Sequence, residues 1–352
     1  MTAPARPLLL MTIVVVWALC SPRLLHATTS TDSSKRAVEH ATELLRSGDV
    51  DAAIASLQKS NESNASAEAY HLLGQIYFKA KKKPREAADA FTNALKLKPA
   101  YPDALNDLAE VYLAQGKTIE AEQTLKRAIE VDPKHEDSYL DLARLYESRH
   151  DIPAAMQVYQ RRLVVRPKSA DGLFGLAMLH EGEGNNDAAR DLLVRLTKAH
   201  PTHADGWYQA GRLAERNNDL LEAAYAYRQA IAAKPNLVDA HYNLGFILRS
   251  QNKPSEAERE FLEVIRYRPE YAEAHMNLGV IYTSMNKLEE AEHEYEKAVE
   301  LKPDYAEAHY NLGVFYELHR KDMPRALAQY HKYRNLGGRD DRVERIIGTA
   351  GR

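Results

Sequence analysis

Apolar residues recur along this chain at helical spacing. Leu105, Leu108, Ala109 and Tyr112 fall at i, i+3, i+4 and i+7 and draw one stripe along a helix, and Ala121, Leu125 and Ala128 draw a second stripe a short way on. Gly116 stands between them, and the same place elsewhere holds Gly48, Gly184, Asn218, Asn252 and Asn286, residues that tolerate the left-handed backbone that ends a helix. The scheme repeats. Pro99, Pro133, Pro167, Pro201, Pro235, Pro269 and Pro303 lie at an unbroken interval of 34 residues, and Ala121, Ala155, Ala189, Ala223, Ala257 and Ala291 keep the same interval. Each block therefore predicts two antiparallel helices. Small Ala at the crossing lets them approach, and Pro stops the second from running on.

The repeated residues resemble the tetratricopeptide repeat (TPR) family, whose pattern is W-x2-L-G-x2-Y, then A-x3-F, then P. One copy here reads His275, Leu278, Gly279, Tyr282, Ala291, Tyr295, Ala298, Pro303. The resemblance covers residues 35–337 and implies an all-α fold, a right-handed TPR superhelical solenoid of about nine antiparallel helix pairs. After Gly337-Gly338, DDRVERII places Val343, Ile346 and Ile347 at i, i+3 and i+4, so residues 338–352 are expected to form a C-terminal capping helix. The unit from Lys35 to Ser60 lacks the terminal proline. The unit from Ala67 to Pro99 and the one from Ala306 each need one extra residue in the turn, in AKKKPREA and LHRKDMPRA.

The N-terminus differs from the rest. Leu8 to Cys20 is mainly apolar, Arg6 precedes it, and SPRLLHA ends in the small residue Ala27, so residues 1–27 read as a secretory signal peptide, followed by a short linker, 28–34. Leu19 stands where a bacterial lipidation box has Gly, Ala or Ser, which argues against a lipid anchor on Cys20. Cys20 is the only cysteine, so a chain cleaved after Ala27 has no disulfide and depends on packing. The full chain, with 47 basic and 50 acidic residues among 352, carries a formal charge of -3; cleavage would leave -5. Neither value favours nucleic acid or an acidic membrane surface, and a membrane role is expected only if the N-terminal segment is retained. Asn61 and Asn64 each begin a glycosylation acceptor pattern, which in a polar linker between helices is also the ordinary composition.

Three histidines at the 34-residue interval, His241, His275 and His309, invite a metal reading. They occupy the first apolar place of the pattern, held elsewhere by Leu105, Tyr139, Leu173 and Trp207, and are expected to pack between helices. Equivalent residues of stacked units are separated by about 8 to 10 Å, whereas zinc needs ligands at about 2 Å. On a pure packing account, leucine at all three would keep or raise stability. The acids Asp103, Asp137, Asp171, Asp205, Asp239, Glu273 and Glu307 open the first helix of each unit, where the helix dipole accounts for them.

The binding candidates lie beside the histidines. Asn243, Asn277 and Asn311 stand two places on, and in the resembling family an asparagine ladder at this place on the concave first-helix face holds a bound peptide's backbone amides; the alternative is a solvated polar face. Tyr208, Tyr242, Met276 and Tyr310 precede the ladder positions, and Phe246, Val280 and Val314 follow at i+4, so this face grows more apolar and aromatic toward the C-terminus, as an interaction site does; the alternative is that packing between units buries some of these residues. Asn106, Glu110, Leu140, Arg144, Phe174 and Met178 make a more charged mixture in earlier units. The lysine of the family's clamp for chaperone tails is missing. The sequence contains no glycine-rich phosphate loop, nucleophile elbow or zinc-spaced Cys/His pair, and the repeats occupy the chain, so no enzyme and no cofactor is expected. The expectation is an exported scaffold, periplasmic or secreted, that holds a peptide or partner protein. Its rivals are a membrane-tethered assembly factor and a regulatory subunit of a separately encoded enzyme such as a glycosyltransferase. The oligomeric state is left open.

Overall fold

The structure is a computed structural model that describes residues 22–350, with side chains from 33 to 349. Most of the expected signal peptide, residues 1–21, lies outside the described residues. Two compact units divide the chain, 1–151 and 152–352. The first contains α1 (Pro22–Arg46), α2 (Val50–Ser63), α3 (Ala67–Gln75), α4 (Pro84–Leu97), α5 (Pro102–Ala114), α6 (Thr118–Val131) and α7 (Glu136–Ser148). The second contains α8 (Ile152–Val165), α9 (Ala170–Gly182), α10 (Asn186–Ala199), α11 (Ala204–Arg216), α12 (Leu220–Ala233), α13 (Val238–Ser250), α14 (Pro254–Tyr267), α15 (Ala272–Ser284), α16 (Leu288–Leu301), α17 (Ala306–Phe315), α18 (Met323–Asn335) and α19 (Asp341–Ala350). The described residues form no strand. Within the first unit α1/α2, α3/α4 and α5/α6 pack as pairs; within the second, α9/α10, α11/α12, α13/α14, α15/α16 and α17/α18 do so.

The turns inside the pairs follow from backbone chemistry. After α5 the Gly116 N–H donates to the Leu113 carbonyl at 3.0 Å and the Lys117 N–H to that of Tyr112 at 2.8 Å. This places Gly116 at φ +74, where a side chain is strained. Gly48 and Gly184 also have positive φ, and Asn218, Asn252 and Asn286 take φ 60, 57 and 56. His150 does the same work at φ 58, with no glycine or asparagine to mark it.

The extra residue of two units is not in the loop. It widens the end of the first helix into a π-helical turn, Ile76–Ala80 after α3 and Tyr316–Arg320 after α17. The closing bonds reach six residues back, Lys83 N–H to the Tyr77 carbonyl at 2.8 Å and Asp322 N–H to that of Tyr316 at 2.9 Å, instead of five. The left-handed residue then becomes Lys82 or Lys321.

Packing inside a pair sets glycine against a ring. A Cβ on Gly279 of α15 would lie 2.6 Å from the Tyr295 ring of α16, and Gly211 with Tyr227 and Gly313 with Tyr330 repeat the arrangement. Ala291 and Ala298 are buried at the same crossing. At the C-terminal end of this core Val343 of α19 is fully buried, with Ile346 and Ile347 packed against the cluster. At the other end of the chain, α1 includes 28–34, which composition alone suggested as a linker; no Pro or Gly separates Pro22 from Gly48 to interrupt it.

Candidate interaction surface

His241, His275 and His309 are buried, as a packing role requires, but each also bridges two elements. The His241 Nε2 donates to the Pro235 carbonyl at 3.0 Å while Nδ1 lies 2.7 Å from the Glu260 carboxylate. His275 repeats this with the Pro269 carbonyl at 2.9 Å and Glu294 at 2.6 Å. His309 meets the Pro303 carbonyl at 3.0 Å and the neutral Gln329 at 2.7 Å. The pure packing account therefore needs correction. These positions supply a ring N–H to the carbonyl of the proline that ends the preceding helix, and the Trp207 Nε1 makes the same bond to Pro201 at 2.9 Å. Where the position is leucine, arginine from the second helix substitutes: Arg127 reaches the Pro99 carbonyl at 3.0 Å and Arg195 that of Pro167 at 3.4 Å. Burial opposes the charged form of His241 and His275, yet the bonds to Glu260 or Glu294 and to the proline carbonyl outweigh it and raise both pKa values above the ordinary histidine value. Among the described residues, no group of three or more His, Cys, Asp or Glu side chains is placed to hold a metal ion.

The asparagines prove unequal. Asn277 is 1% exposed; its Oδ1 accepts from Arg249 Nη1 of α13, and its Nδ2 donates to the Glu273 carbonyl at 2.7 Å. Met276 is 3% exposed, packed with Ala298, Ala308 and Tyr305. Both were expected on an open face, and the correction has one cause: side chains of the preceding and following repeats close over them. Asn243 is half-buried and donates to the Tyr227 hydroxyl at 3.2 Å, which donates in turn to Glu215 at 2.7 Å. Asn311, also half-buried, donates through Nδ2 to the Met276 sulfur at 3.4 Å.

The aromatic part of the face is better preserved. Phe246 is 43% exposed, with the Arg249 guanidinium 4.9 Å from its ring centroid. Tyr208, Tyr242 and Tyr310 are half-buried, stacked at tilted angles on Tyr227, Tyr271 and Tyr333 at 5.8, 5.3 and 5.2 Å. Burial raises the Tyr208 and Tyr242 pKa values, so both hydroxyls remain protonated donors at neutral pH. Val280 and Val314 are partly buried beside them. One face of α11, α13, α15 and α17 thus offers phenol donors, one open phenyl ring and two available amides.

Family models described as tetratricopeptide repeat match residues 38–102, 80–134, 113–165, 174–238 and 226–259, and one described as TPR repeat matches 279–319. The chain belongs to the tetratricopeptide repeat family. No curated protein sequence matches it. Among solved structures this TPR chain is similar to Pseudomonas aeruginosa PilF, at 16% identity over 61% of this chain and 96% of that one, with a TM-score of 0.49. It is also similar to YrrB, a TPR protein with an unusual peptide-binding site, at 22% identity over 53% and 96% with a TM-score of 0.47. MamA from Desulfovibrio magneticus RS-1 matches at 22% identity over 48% and 94%, with a TM-score of 0.45.

The first unit of this TPR array carries features that the aromatic stripe did not draw attention to. A cleft of about 500 Å³ lies among Glu110, Leu113, Asp141, Arg144 and Leu145, and another of about 390 Å³ among Phe78, Lys79, Lys82 and Glu110. Glu110 holds the register place of Phe246. Burial raises its pKa, Lys79 opposes the shift, and Asp107 and Asp141 add to it. The polar ladder here is tied internally: Asp107 accepts from Gln75 at 2.7 Å and meets His71 at 2.8 Å, and Asp141 accepts from Asn106 at 2.9 Å. The charged mixture at Glu110 and Arg144 was the signal in the sequence. The acids that open the first helices lie in first turns as the dipole suggests, and three also tie neighbouring repeats, Asp103 to His135, Asp239 to Arg268 and Glu273 to Lys302. Asn61 Nδ2 is buried and so is not presented for glycosylation in the folded chain, whereas the half-buried Asn64 donates through Nδ2 to Ser34 of α1 at 2.8 Å.

Proposed function

We propose that this TPR chain is an exported scaffold that holds a peptide segment or a partner protein on the first-helix face of α11, α13, α15 and α17. The observation that supports this reading is Phe246, an open phenyl ring set among half-buried tyrosines and flanked by the Arg249 guanidinium. A ring so placed is an anchor for an apolar ligand side chain, while the Tyr208, Tyr242, Asn243 and Asn311 polar groups pair with a ligand backbone. Asn277 and Met276 act beneath this face, holding the helices that carry it.

The test begins with the partners captured by the chain, identified by mass spectrometry, and then compares their affinity for wild type and Phe246→Ala by calorimetry. Burial of one phenyl ring is worth about 1.5 to 3 kcal/mol, so affinity should fall roughly tenfold to a hundredfold with the circular dichroism unchanged. Equal affinity would remove this face from the function. Export is tested on the mature protein: an N-terminus near Thr28 supports it, and an intact Met1 overturns it.

A further inference from the structure

The His241–Glu260 and His275–Glu294 bridges stand out because three other repeats meet the corresponding proline carbonyls with groups that do not titrate near neutral pH. Arg127 and Arg195 supply a permanent cation at Pro99 and Pro167, and Trp207 a neutral indole N–H at Pro201. Among the described residues, only at Pro235 and Pro269 does the donor combine a buried imidazole with a carboxylate of the next helix, Glu260 or Glu294. Both ring nitrogens face acceptors there. A neutral imidazole carries one N–H and can satisfy one of them; the imidazolium carries two and satisfies both. Each bridge is complete only when protonated.

We propose that Pro235–His241–Glu260 and Pro269–His275–Glu294 form a proton-operated clasp that keeps α13 to α16 tightly packed under mildly acidic conditions and loosens them as the solution turns alkaline. The surroundings favour this. His241 faces Glu260 and Glu263, both on α14, with the Pro235 carbonyl beyond the end of α12. His275 faces Glu294 and, opposing it, Lys297, both on α16, with the Pro269 carbonyl beyond α14. On α15 the Glu273 carboxylate is engaged by Lys302, and from α13 the Arg249 guanidinium is engaged by Asn277. Both histidines have folded-state pKa values raised above the ordinary value of about 6.5. The stabilisation is therefore full below about pH 6.5 and is lost as pH rises through the raised folded values. On deprotonation one acceptor of each bridge, a proline carbonyl or a carboxylate, loses its donor inside the helix stack. His309, whose partner is Gln329, has no carboxylate and is not part of the device. The clasp does not depend on the proposed ligand face.

The full chain provides the test. Imidazole resonances, assigned through His241→Gln and His275→Gln, are followed by NMR from about pH 5 to pH 9, across the range where histidine titrates. Amide exchange of α13 to α16, corrected for its intrinsic pH dependence, is measured over the same range. Both histidines should titrate above the ordinary value, and protection of α13 to α16 should fall severalfold on alkalinisation. In the double variant the fall should vanish. Midpoints at or below the ordinary value would overturn the proposal, as would raised midpoints with no change in protection. The wild-type titration decides the matter even if the double variant does not fold.

Discussion

Replacing Asn243, Asn277 and Asn311 by Ala one at a time should separate three residues that look interchangeable in the repeat. Asn277→Ala removes a 1% exposed amide whose Oδ1 accepts from a charged guanidinium and whose Nδ2 donates to a backbone carbonyl at 2.7 Å. A hydrogen bond to a charged group is worth about 1.5 to 3 kcal/mol, but Arg249 is only half-buried and regains water, which discounts that figure. A small cavity adds to the loss, so the total should be on the order of 1 to 2 kcal/mol. Asn243→Ala gives up one bond of 3.2 Å to a neutral phenol, about 0.5 to 1 kcal/mol. Asn311→Ala gives up a sulfur contact of 3.4 Å and should stay within about 0.5 kcal/mol. Urea unfolding followed by circular dichroism reads the order directly, with the slope of the transition as a check that the same structure unfolds in each variant. If Asn277→Ala proves no more costly than Asn311→Ala, the burial of Asn277 is wrong and the ladder reverts to three equivalent, open amides.

Gly279→Ala should destabilise by about 1 to 3 kcal/mol because its Cβ would stand 2.6 Å from the buried Tyr295 ring, whereas Gly348→Ala, with open space around it in α19, should be neutral or stabilising by up to about 1 kcal/mol; equal effects on thermal melts would refute the close packing. His275→Leu should destabilise by on the order of 1 to 2 kcal/mol at about pH 6, since leucine's apolar gain is outweighed by the donors lost to Glu294 and the Pro269 carbonyl. Unchanged or higher stability in urea would restore the simpler account of that position as an apolar plug.

The helices and their turns were legible in the sequence because they rest on local rules. A 34-residue interval of prolines, apolar stripes and residues such as Asn218 and Asn252 at the left-handed positions define each pair without reference to its neighbours. What was illegible depends on groups from other repeats. The burial of Met276 is decided by Tyr305 and Ala308, and that of Asn277 by Arg249, each in an adjacent repeat. The histidines were legible as buried. Their role as donors was not, because the acceptors are a carbonyl six residues back and a carboxylate on the next helix. The inserted residues at AKKKP and HRKDM were visible as insertions, but a loop and a π-helical turn have the same count, and only the hydrogen bonds separate them.

The burial of Val343 bears on something other than the stability of one molecule. Because the repeats are near copies, the apolar face that each presents to its successor would also suit the repeat of a second chain, and a terminal pair left open would be a growth point for end-to-end polymers. By laying Val343, Ile346 and Ile347 across the last pair, α19 makes that end unlike any internal junction. Deleting the ten residues Asp341–Ala350 should uncover that face, and light scattering should then show self-association that grows with concentration.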